Sequence, residues 1–170
     1  MGDTLGMSER TRPVEDGDEW TSLTSMLDFL RDTVVMKVED LTDEQAFAAP
    51  VPPSTLTLAG LVKHLSATER FWFSIDFAGL DLVWPYPEGD PKGGFPIEEG
   101  DTLAAIVAEY ERECEASRAA VAGADLDDPA RGPDMTFNLR YAFTHMIEET
   151  ARHCGHLDLL REVTDGRTGQ

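Results

Sequence analysis

Three of the four histidines in this chain stand close together near its C-terminus, in the stretch THMIEETARHCGHLDLLRE. His145, Glu149, His153 and His156 follow one another at spacings of 4, 4 and 3 residues. Side chains three or four positions apart lie on the same face of an α-helix, so these four groups are expected on one stripe. Imidazole and carboxylate groups are common ligands of zinc and related metals. The stretch therefore predicts a helix with a metal-binding face.

The same stripe is expected to face the core of the protein, because Asn138, Ala142 and Leu160 extend it. An ionised carboxylate without a partner in an apolar interior is strongly destabilising. A divalent cation would supply that partner, and Glu149 and His153, four residues apart, can both reach one ion. Two ligands on one helix do not make a tight site, so a third ligand is expected from another part of the chain.

His64 is the candidate for this third ligand. It lies between Leu61 and Leu65, on the otherwise apolar stripe of the segment TLAGLVKHLSATERFWFSIDFAG. Three protein ligands with a fourth position open to water or substrate are typical of catalytic zinc sites. The predicted metal ligands are therefore His64, Glu149 and His153.

Simpler explanations exist for each part of this pattern. A single core histidine is more often hydrogen-bonded to a neighbour than bound to a metal, and an acidic helix face is often merely solvated. His145 and His156 flank the predicted ligands one turn away on each side, and are predicted to act as general acid or base, to orient ligands or to bind substrate. For His156, a structural pairing with Asp158 or Glu149 is an open alternative.

Two further residues share the face of the second predicted helix that carries His64. Thr68 follows His64 by four residues and Trp72 follows it by eight. Both are predicted to line the cavity in which a cofactor or co-substrate binds, with ordinary core packing as the alternative for Trp72.

Four long amphipathic segments are needed to position these residues. Apolar residues at spacings of 3 and 4 define them, with Thr57 and Asp101 as predicted N-caps of the second and third. Thr42 and Gln45 match a capping box that opens a short helical turn before the proline cluster at 50–53. The predicted long helices are Asp18–Glu39, Thr57–Gly79, Asp101–Gly123 and Phe137–Val163, the last closed by Asp165-Gly166.

No segment alternates between apolar and polar residues for long enough to predict a sheet, so the sequence predicts an all-α four-helix bundle. The connection between the second and third helices, GLDLVWPYPEGDPKGGFPIEEG, contains four prolines and no helical period. It is long enough to carry the chain back along the bundle, so these two helices could run parallel. Residues 1–16 are predicted to be a flexible arm, 17–166 a single domain and 167–170 a tail.

Charge and composition exclude several classes of partner. The chain has 33 acidic and 14 basic residues, and a net charge of −19 repels phosphate backbones and anionic lipid surfaces. Nucleic acid and membrane are therefore not expected partners. No apolar run suggests a membrane span or a signal peptide, so a cytoplasmic location is expected. Cys114 and Cys154 show neither metal-ligand spacing nor a disulfide framework and are predicted to be reduced.

Two motifs of the chain resemble those of the DinB-like superfamily of metalloenzymes. They are LVKHL, which contains His64, and HMIEETARHCGHLDLLRE about 80 residues later, and the resemblance extends from about Trp20 to Gly166. Within the superfamily, the pattern is similar to the branch that includes mycothiol-dependent maleylpyruvate isomerase, which has glutamate at the first metal-binding position of the last helix. The resemblance implies a bundle with up-down-down-up order and a zinc or nickel ion held by His64, Glu149 and His153.

The resemblance also implies a function for the domain. It suggests an enzyme that acts on a small molecule with a low-molecular-weight thiol such as mycothiol as co-substrate, as an S-transferase or an isomerase. A bound metal can hold a thiol as thiolate near neutral pH. Two alternatives are open: a non-catalytic bundle that binds a metal or ligand, and a metal hydrolase that uses no thiol. Relatives often dimerise, which leaves a homodimer open.

Overall fold

The computed structural model describes residues 10–84, 96–133 and 135–168, and within these ranges the regular elements are helices. Four of these elements are long, which confirms the predicted all-α class. Parts of the predicted arm, the long connection and the tail lie outside the described residues, and the domain boundaries stay predictions. The elements are α1 (Glu19–Met36), α2 (Asp43–Phe47), α3 (Leu58–Glu69), a π-helix (Arg70–Phe77), α4 (Leu103–Ala120) and α5 (Leu139–Asp165).

Side-chain caps begin the first three helices, and those of α2 and α3 are the ones that the sequence predicts. The carboxylate of Asp18 accepts a hydrogen bond from the Thr21 backbone N–H at 2.8 Å, and the Thr57 hydroxyl caps α3 in the same way. Thr42 and Gln45 form the reciprocal capping box of α2. These bonds satisfy N–H groups that have no partner within their own helix, which fixes where each helix begins.

The N-cap of α4 corrects one prediction. Thr102, rather than Asp101, caps the helix, and its hydroxyl accepts a hydrogen bond from the Ala105 N–H at 3.2 Å. The carboxylate of Asp101 instead accepts hydrogen bonds from the Lys63 ammonium at 2.9 Å and from the Glu98 N–H at 2.8 Å. A lysine on α3 therefore draws the acidic side chain away from the helix terminus, and the adjacent threonine takes over the cap.

The ends of α5 also differ slightly from the prediction. Its N-cap is Asn138, one residue after the predicted start at Phe137, and its last residue is Asp165, two residues after the predicted end at Val163. Gly166 follows in the left-handed region with φ of +78°, which glycine adopts without steric cost. The predicted C-terminal stop is therefore confirmed, whereas α1 ends three residues earlier than predicted.

The second predicted helix is not a uniform α-helix. Its first half is α3, but its second half is a π-helix of eight residues, Arg70–Phe77. The N–H of Ala78 donates to the carbonyl of Phe73, five residues back, at 2.9 Å. This wider turn changes the direction of every side chain after Glu69 relative to an α-helix. π-Helical turns are rare in proteins overall, but those that occur are often found at functional sites.

The segment between α4 and α5 packs directly against the backbone of the π-helix. The Gly132 N–H donates to the Asp76 carbonyl at 2.7 Å, and the Arg131 N–H donates to the Phe77 carbonyl at 2.9 Å. A Cβ atom on Gly132 would lie 2.8 Å from the Asp76 carbonyl oxygen, so the approach requires glycine. These two bonds fasten the segment that leads into α5.

Helices α1 and α5 pack side by side and run in the same direction. The rings of Trp20 and Phe143 are 5.6 Å apart near the start of both helices. Near the other end, the Lys37 ammonium lies 2.5 Å from the Asp158 carboxylate. Because residue numbers rise together along both helices from one contact to the next, the two helices are parallel.

Helices α3 and α4 are also parallel neighbours. Lys63 of α3 pairs with Asp101 just before α4, and Arg70, one and a half to two turns later, donates to Glu113 at 3.0 Å. The same arginine reaches Glu109 at 3.1 Å. The parallel arrangement is the one expected from the long connection between these two helices.

A buried ion pair joins α1 to the end of α3. The Arg31 guanidinium donates to both carboxylate oxygens of Glu69, at 2.8 and 2.6 Å, and the two side chains are 6% and 1% exposed. The Ser117 hydroxyl of α4 donates to the Glu69 backbone carbonyl, and the guanidinium lies 5.7 Å from the Phe73 ring. Three helices therefore meet at one charged contact inside the bundle.

We expect Glu69→Gln to lower the free energy of unfolding by about 3 kcal/mol, because it leaves the buried Arg31 charge with only the partly exposed Asp28 carboxylate, at 2.9 Å, as a counter-charge. Urea denaturation at neutral pH measures the effect. The matched control is Glu19→Gln, which removes one side of a similar fork with Arg140 on the exposed surface. The free energy of unfolding should fall much less in this control variant. Equal losses in the two variants would contradict the importance given to the buried pair.

Asp76 of the π-helix is a second buried acid, and it has no ion-pair partner among the described residues. Its side chain oxygen Oδ2 is buried without a hydrogen bond. Burial raises the pKa of this carboxyl to about 6. The folded protein therefore favours the protonated acid, and ionisation of Asp76 opposes folding as the pH rises from about 4 through 6.

Asp76→Asn should therefore stabilise the protein above pH 6 by on the order of 1 kcal/mol relative to wild type, and by little near pH 4. Chemical denaturation across this pH range measures the difference. Asp81→Asn, at an exposed position, serves as the control and should show no such pH dependence. A constant difference between Asp76→Asn and wild type at all pH values would exclude the raised pKa.

Candidate metal centre

The predicted metal ligands lie between α3 and α5, which run in opposite directions. The rings of His64 and His153 are 4.7 Å apart, and those of Trp72 and His145 are 4.2 Å apart. Residue numbers thus rise along one helix as they fall along the other, so the pair is antiparallel. The up-down-down-up order of the bundle as a whole stays a prediction.

His64, Glu149 and His153 converge at one point between these two helices. The Nε2 atoms of His64 and His153 lie 3.0 and 3.1 Å from the same carboxylate oxygen, Oε1 of Glu149. One candidate ligand atom from each residue lies within 4.8 Å of the others. The side chains are 18%, 16% and 15% exposed, so the cluster is largely buried but open on one side.

Helical periodicity explains why the three side chains meet. Glu149 and His153 are four residues apart on α5 and therefore stand one above the other. His64 projects from α3 between Leu61 and Leu65, both of which are buried in the core beside α5. Core packing on either side of His64 thus presses its imidazole against the carboxylate of the facing helix.

The two imidazoles hold the pKa of Glu149 well below its usual range. The hydrogen bond with His153 is the largest cause, the hydrogen bond with His64 follows, and burial acts in the opposite direction. The carboxylate is therefore ionised at all ordinary pH values. Because its pKa is depressed on folding, this contact stabilises the protein above about pH 4.3 and loses that contribution as the pH falls below it.

The three donors fit a divalent metal ion. Zinc binds imidazole nitrogen and carboxylate oxygen at about 2.0 to 2.2 Å, which places neighbouring donors of a tetrahedral site about 3.4 Å apart. The two nitrogen–oxygen distances at Glu149 are close to this value. Two imidazoles and one carboxylate are a common donor set for catalytic zinc, and they suit nickel as well. Each of the three side chains keeps part of its surface exposed, so solvent can reach the cluster.

The imidazole of His156 contacts that of His153. Its Nδ1 is 3.3 Å from the Nδ1 of His153. An imidazole that binds a metal through Nε2 carries its proton on Nδ1, and His156 can accept that proton in a hydrogen bond. His156 is therefore positioned to fix the orientation of a ligand.

His145 is not part of the three-residue cluster but lies one turn from Glu149. Its ring packs against Trp72 at 4.2 Å and is stacked on Tyr141, with centroids 6.1 Å apart and planes 7° apart. Its Nδ1 is 3.9 Å from the Glu148 carboxylate. The structure thus brings the predicted residues His145 and Trp72 into direct contact beside the centre.

Thr68 lies on the buried side of α3. Its side chain is almost inaccessible, and its hydroxyl donates to the Leu65 carbonyl at 2.9 Å. This bond uses the hydroxyl proton inside the helix itself. A role of Thr68 in binding a cofactor stays a prediction.

Two aromatic residues near the candidate centre, Tyr141 and Phe137, are not among the site residues predicted from the sequence. Tyr141 stands four residues before His145 and so continues the stripe of the metal ligands, and this spacing was a usable signal. Phe137, whose ring is 5.2 Å from Trp72, precedes α5 and carries no periodic signal. Its position depends on how the preceding segment is fastened to the π-helix.

A cleft of ≈ 390 Å³ lies between α3 and α4. Lys63, Arg70, Asp101, Glu109 and Glu113 line it, together with smaller side chains. Its cations and anions are paired with one another by the contacts described above. None of the candidate metal ligands is among its lining residues, so the chemistry of the chain is expected between α3 and α5 instead.

A helical bundle with a His/Glu/His centre between two antiparallel helices defines a class of candidate metalloproteins. The family model described as MST, mycothiol-S-transferase, matches residues 22–166. The chain therefore belongs to the mycothiol S-transferase family, a member of the DinB-like superfamily, which confirms the resemblance drawn from the two motifs. No curated protein gives a significant match. Among the described helices, none has the length and apolar character that a membrane span requires.

We expect His64→Ala, Glu149→Ala and His153→Ala each to lower the affinity for Zn²⁺ by about 100-fold or more, because three ligands leave little redundancy. Competition with a chromogenic chelator measures the affinity. His156→Ala should lower it by about 10- to 100-fold, as expected when a partner that orients a ligand is lost. His145→Ala is the control and should retain the affinity. An equal loss in His145→Ala and His64→Ala would contradict the assignment of ligands.

Proposed function

We propose that the protein is a divalent-metal-dependent transferase that joins the sulfur of a low-molecular-weight thiol, mycothiol or a close relative, to an electrophilic small molecule. The observation that carries the proposal is the convergence of His64, Glu149 and His153 from two helices. Membership of the mycothiol S-transferase family supports the choice of thiol and favours transfer over isomerisation.

In this reaction the thiol loses its proton, a carbon–sulfur bond forms, and a leaving group departs from the electrophile with the electron pair of the broken bond. A zinc or nickel ion at the centre would lower the pKa of a thiol bound to it and so supply a thiolate near neutral pH. The side chains of the centre contribute a fixed set of ligands, most of whose surface is shielded from water. Their exposed side is where thiol and electrophile would enter.

The two cysteines of the chain are unsuited to the role of nucleophile. Both are buried free thiols. Burial raises the pKa of Cys154 to about 12 and that of Cys114 even further above its usual range. Neither is ionised at neutral pH, which supports an external thiol as the sulfur donor. Free thiols in a folded chain also support our proposal of a cytoplasmic location.

We assign to His145 the role of proton acceptor for the incoming thiol. Its imidazole lies one helical turn, or about 6 Å along the helix axis, from Glu149. The Trp72 ring at 4.2 Å and the Tyr141 ring at 6.1 Å restrict the rotation of this imidazole. Proton transfer from a positioned side chain typically contributes about 100-fold or more to a rate. His156 acts by orienting His153.

The proposal predicts that protein stripped of metal by a chelator and reloaded with Zn²⁺ or Ni²⁺ transfers mycothiol to 1-chloro-2,4-dinitrobenzene. His64→Ala and His153→Ala should lower kcat/KM by about 100-fold or more. His145→Gln should lower kcat at unchanged metal content, and Cys154→Ala should retain activity. Product formation followed by absorbance and mass spectrometry is the measurement.

Two results would overturn the proposal. If the reloaded protein binds metal and is stabilised by it but transfers no thiol to a panel of electrophiles, the bundle is a metal-binding protein without this activity. If it shows chelator-sensitive hydrolysis in the absence of thiol, the reaction is a metal-assisted hydrolysis.

A further inference from the structure

An open cleft of ≈ 760 Å³ lies at the junction of the π-helix, the segment before α5 and the start of α5. We call it the aromatic cleft. Three aromatic rings form much of its wall, and the volume is sufficient for a drug-sized organic molecule. Its lining residues are Trp72, Asp127, Pro129, Met135, Thr136, Phe137, Asn138 and Tyr141.

The aromatic cleft is connected to the metal centre through His145. Trp72 and Tyr141 line the cleft, and the same two rings contact the imidazole of His145. His145 in turn lies one turn from Glu149 on α5. A molecule whose body rests in the cleft can therefore extend past this imidazole toward the centre, over about 12 Å of helix axis between Tyr141 and Glu149.

The charge of the aromatic cleft disfavours an anionic occupant. No lysine, arginine or histidine is among its described lining residues. Asp127 is the acidic one, and its carboxylate is paired with Arg140. A cleft without a free cation, in a chain of net charge −19, attracts no anionic group. Apolar and aromatic side chains, together with the neutral polar side chains of Thr136 and Asn138, are then available for recognition.

The walls of the aromatic cleft support one another before any ligand binds. The Trp72 and Phe137 rings are 5.2 Å apart, and the Phe137 and Tyr141 rings are 5.9 Å apart. The segment that carries Phe137 is fastened to the π-helix by the Gly132 N–H. Tyr141 keeps 53% of its surface exposed and so has a ring face left for a ligand. A flat ring system suits such a site best, because aromatic rings stack in offset or edge-to-face pairs.

We propose that the aromatic cleft binds the electrophilic substrate, and that this substrate is a neutral molecule with a planar aromatic body. The inference rests on the proposed thiol transfer for its reaction, but not for the binding itself. With an aryl chloride, the thiolate sulfur forms a bond to the ring carbon, the carbon–chlorine bond breaks, and chloride leaves with the electron pair. The thiol proton passes to His145.

Binding is tested without metal or chemistry. Calorimetric titration of the full-length, chelator-treated protein uses 1,3-dinitrobenzene, a planar neutral ring without a leaving group. We expect measurable binding to wild type, and about 5- to 10-fold weaker binding to Phe137→Ala and Tyr141→Ala, since each loses one aromatic contact. Leu159→Ala, an exposed apolar position on α5 outside the cleft lining, is the matched control and should bind as wild type does.

Specificity is tested with the metal-loaded protein and two electrophiles, 1-chloro-2,4-dinitrobenzene and the aliphatic iodoacetamide. Phe137→Ala should raise the KM for both electrophiles unequally. The factor by which KM rises for the aryl chloride should be about 5- to 10-fold larger than the factor for iodoacetamide. Thermal melts of each variant confirm folding, and Tyr141→Ala provides the second variant for the binding test if Phe137→Ala is unfolded.

The results separate this inference from the proposed function. If thiol transfer occurs but 1,3-dinitrobenzene does not bind, or binds all variants equally, the aromatic cleft is not the electrophile site. If the ring binds and the cleft variants weaken it while no thiol is transferred, the cleft is a binding site and the proposed reaction is wrong.

Discussion

The contact of one carboxylate oxygen with two imidazoles is the constraint on which the candidate centre depends. Both Nε2 atoms face Oε1 of Glu149, so without metal each imidazole must place a proton between its ring and the carboxylate. A metal ion would take the place of both protons. His153 would then carry its proton on Nδ1, and this N–H could donate a hydrogen bond to Nδ1 of His156. His64, Glu149, His153 and His156 thus form one hydrogen-bonded chain of side chains that joins α3 to α5.

The second half of the helix that carries His64 serves a different purpose from the first. As an α-helix, α3 presents His64 to α5 between two core leucines. The π-helix that follows changes the register, and Trp72 then packs against the His145 ring and against Phe137. The close approach of Gly132 to this π-helix positions the segment before α5. One continuous helical stretch therefore provides both a candidate metal ligand and a wall of the aromatic cleft.

Local patterns made much of this structure predictable. The all-α class, most caps and the three-residue cluster follow from 3- and 4-residue spacings and from polar groups on stripes that should be apolar. What the sequence did not reveal depends on distant contacts. Arg31 and Glu69 each look like surface residues until the fold pairs them across 38 positions. Asp101 and Thr102 are both capable of capping α4, and only a lysine on α3 distinguishes them. The hydrogen-bond register of the π-helix is set by tertiary contacts that helical periodicity does not report.

The π-helix also bears on how relatives of this protein can diverge. A π-helical turn holds one more residue than an α-helical turn, so losing a single residue from Arg70–Phe77 would return the stretch to α-helical geometry. Such a deletion would rotate the Trp72 wall away from α5 while His64, upstream of it, kept its place. A change in chain length at this point can therefore reshape the aromatic cleft in one evolutionary step without disturbing the candidate metal ligands.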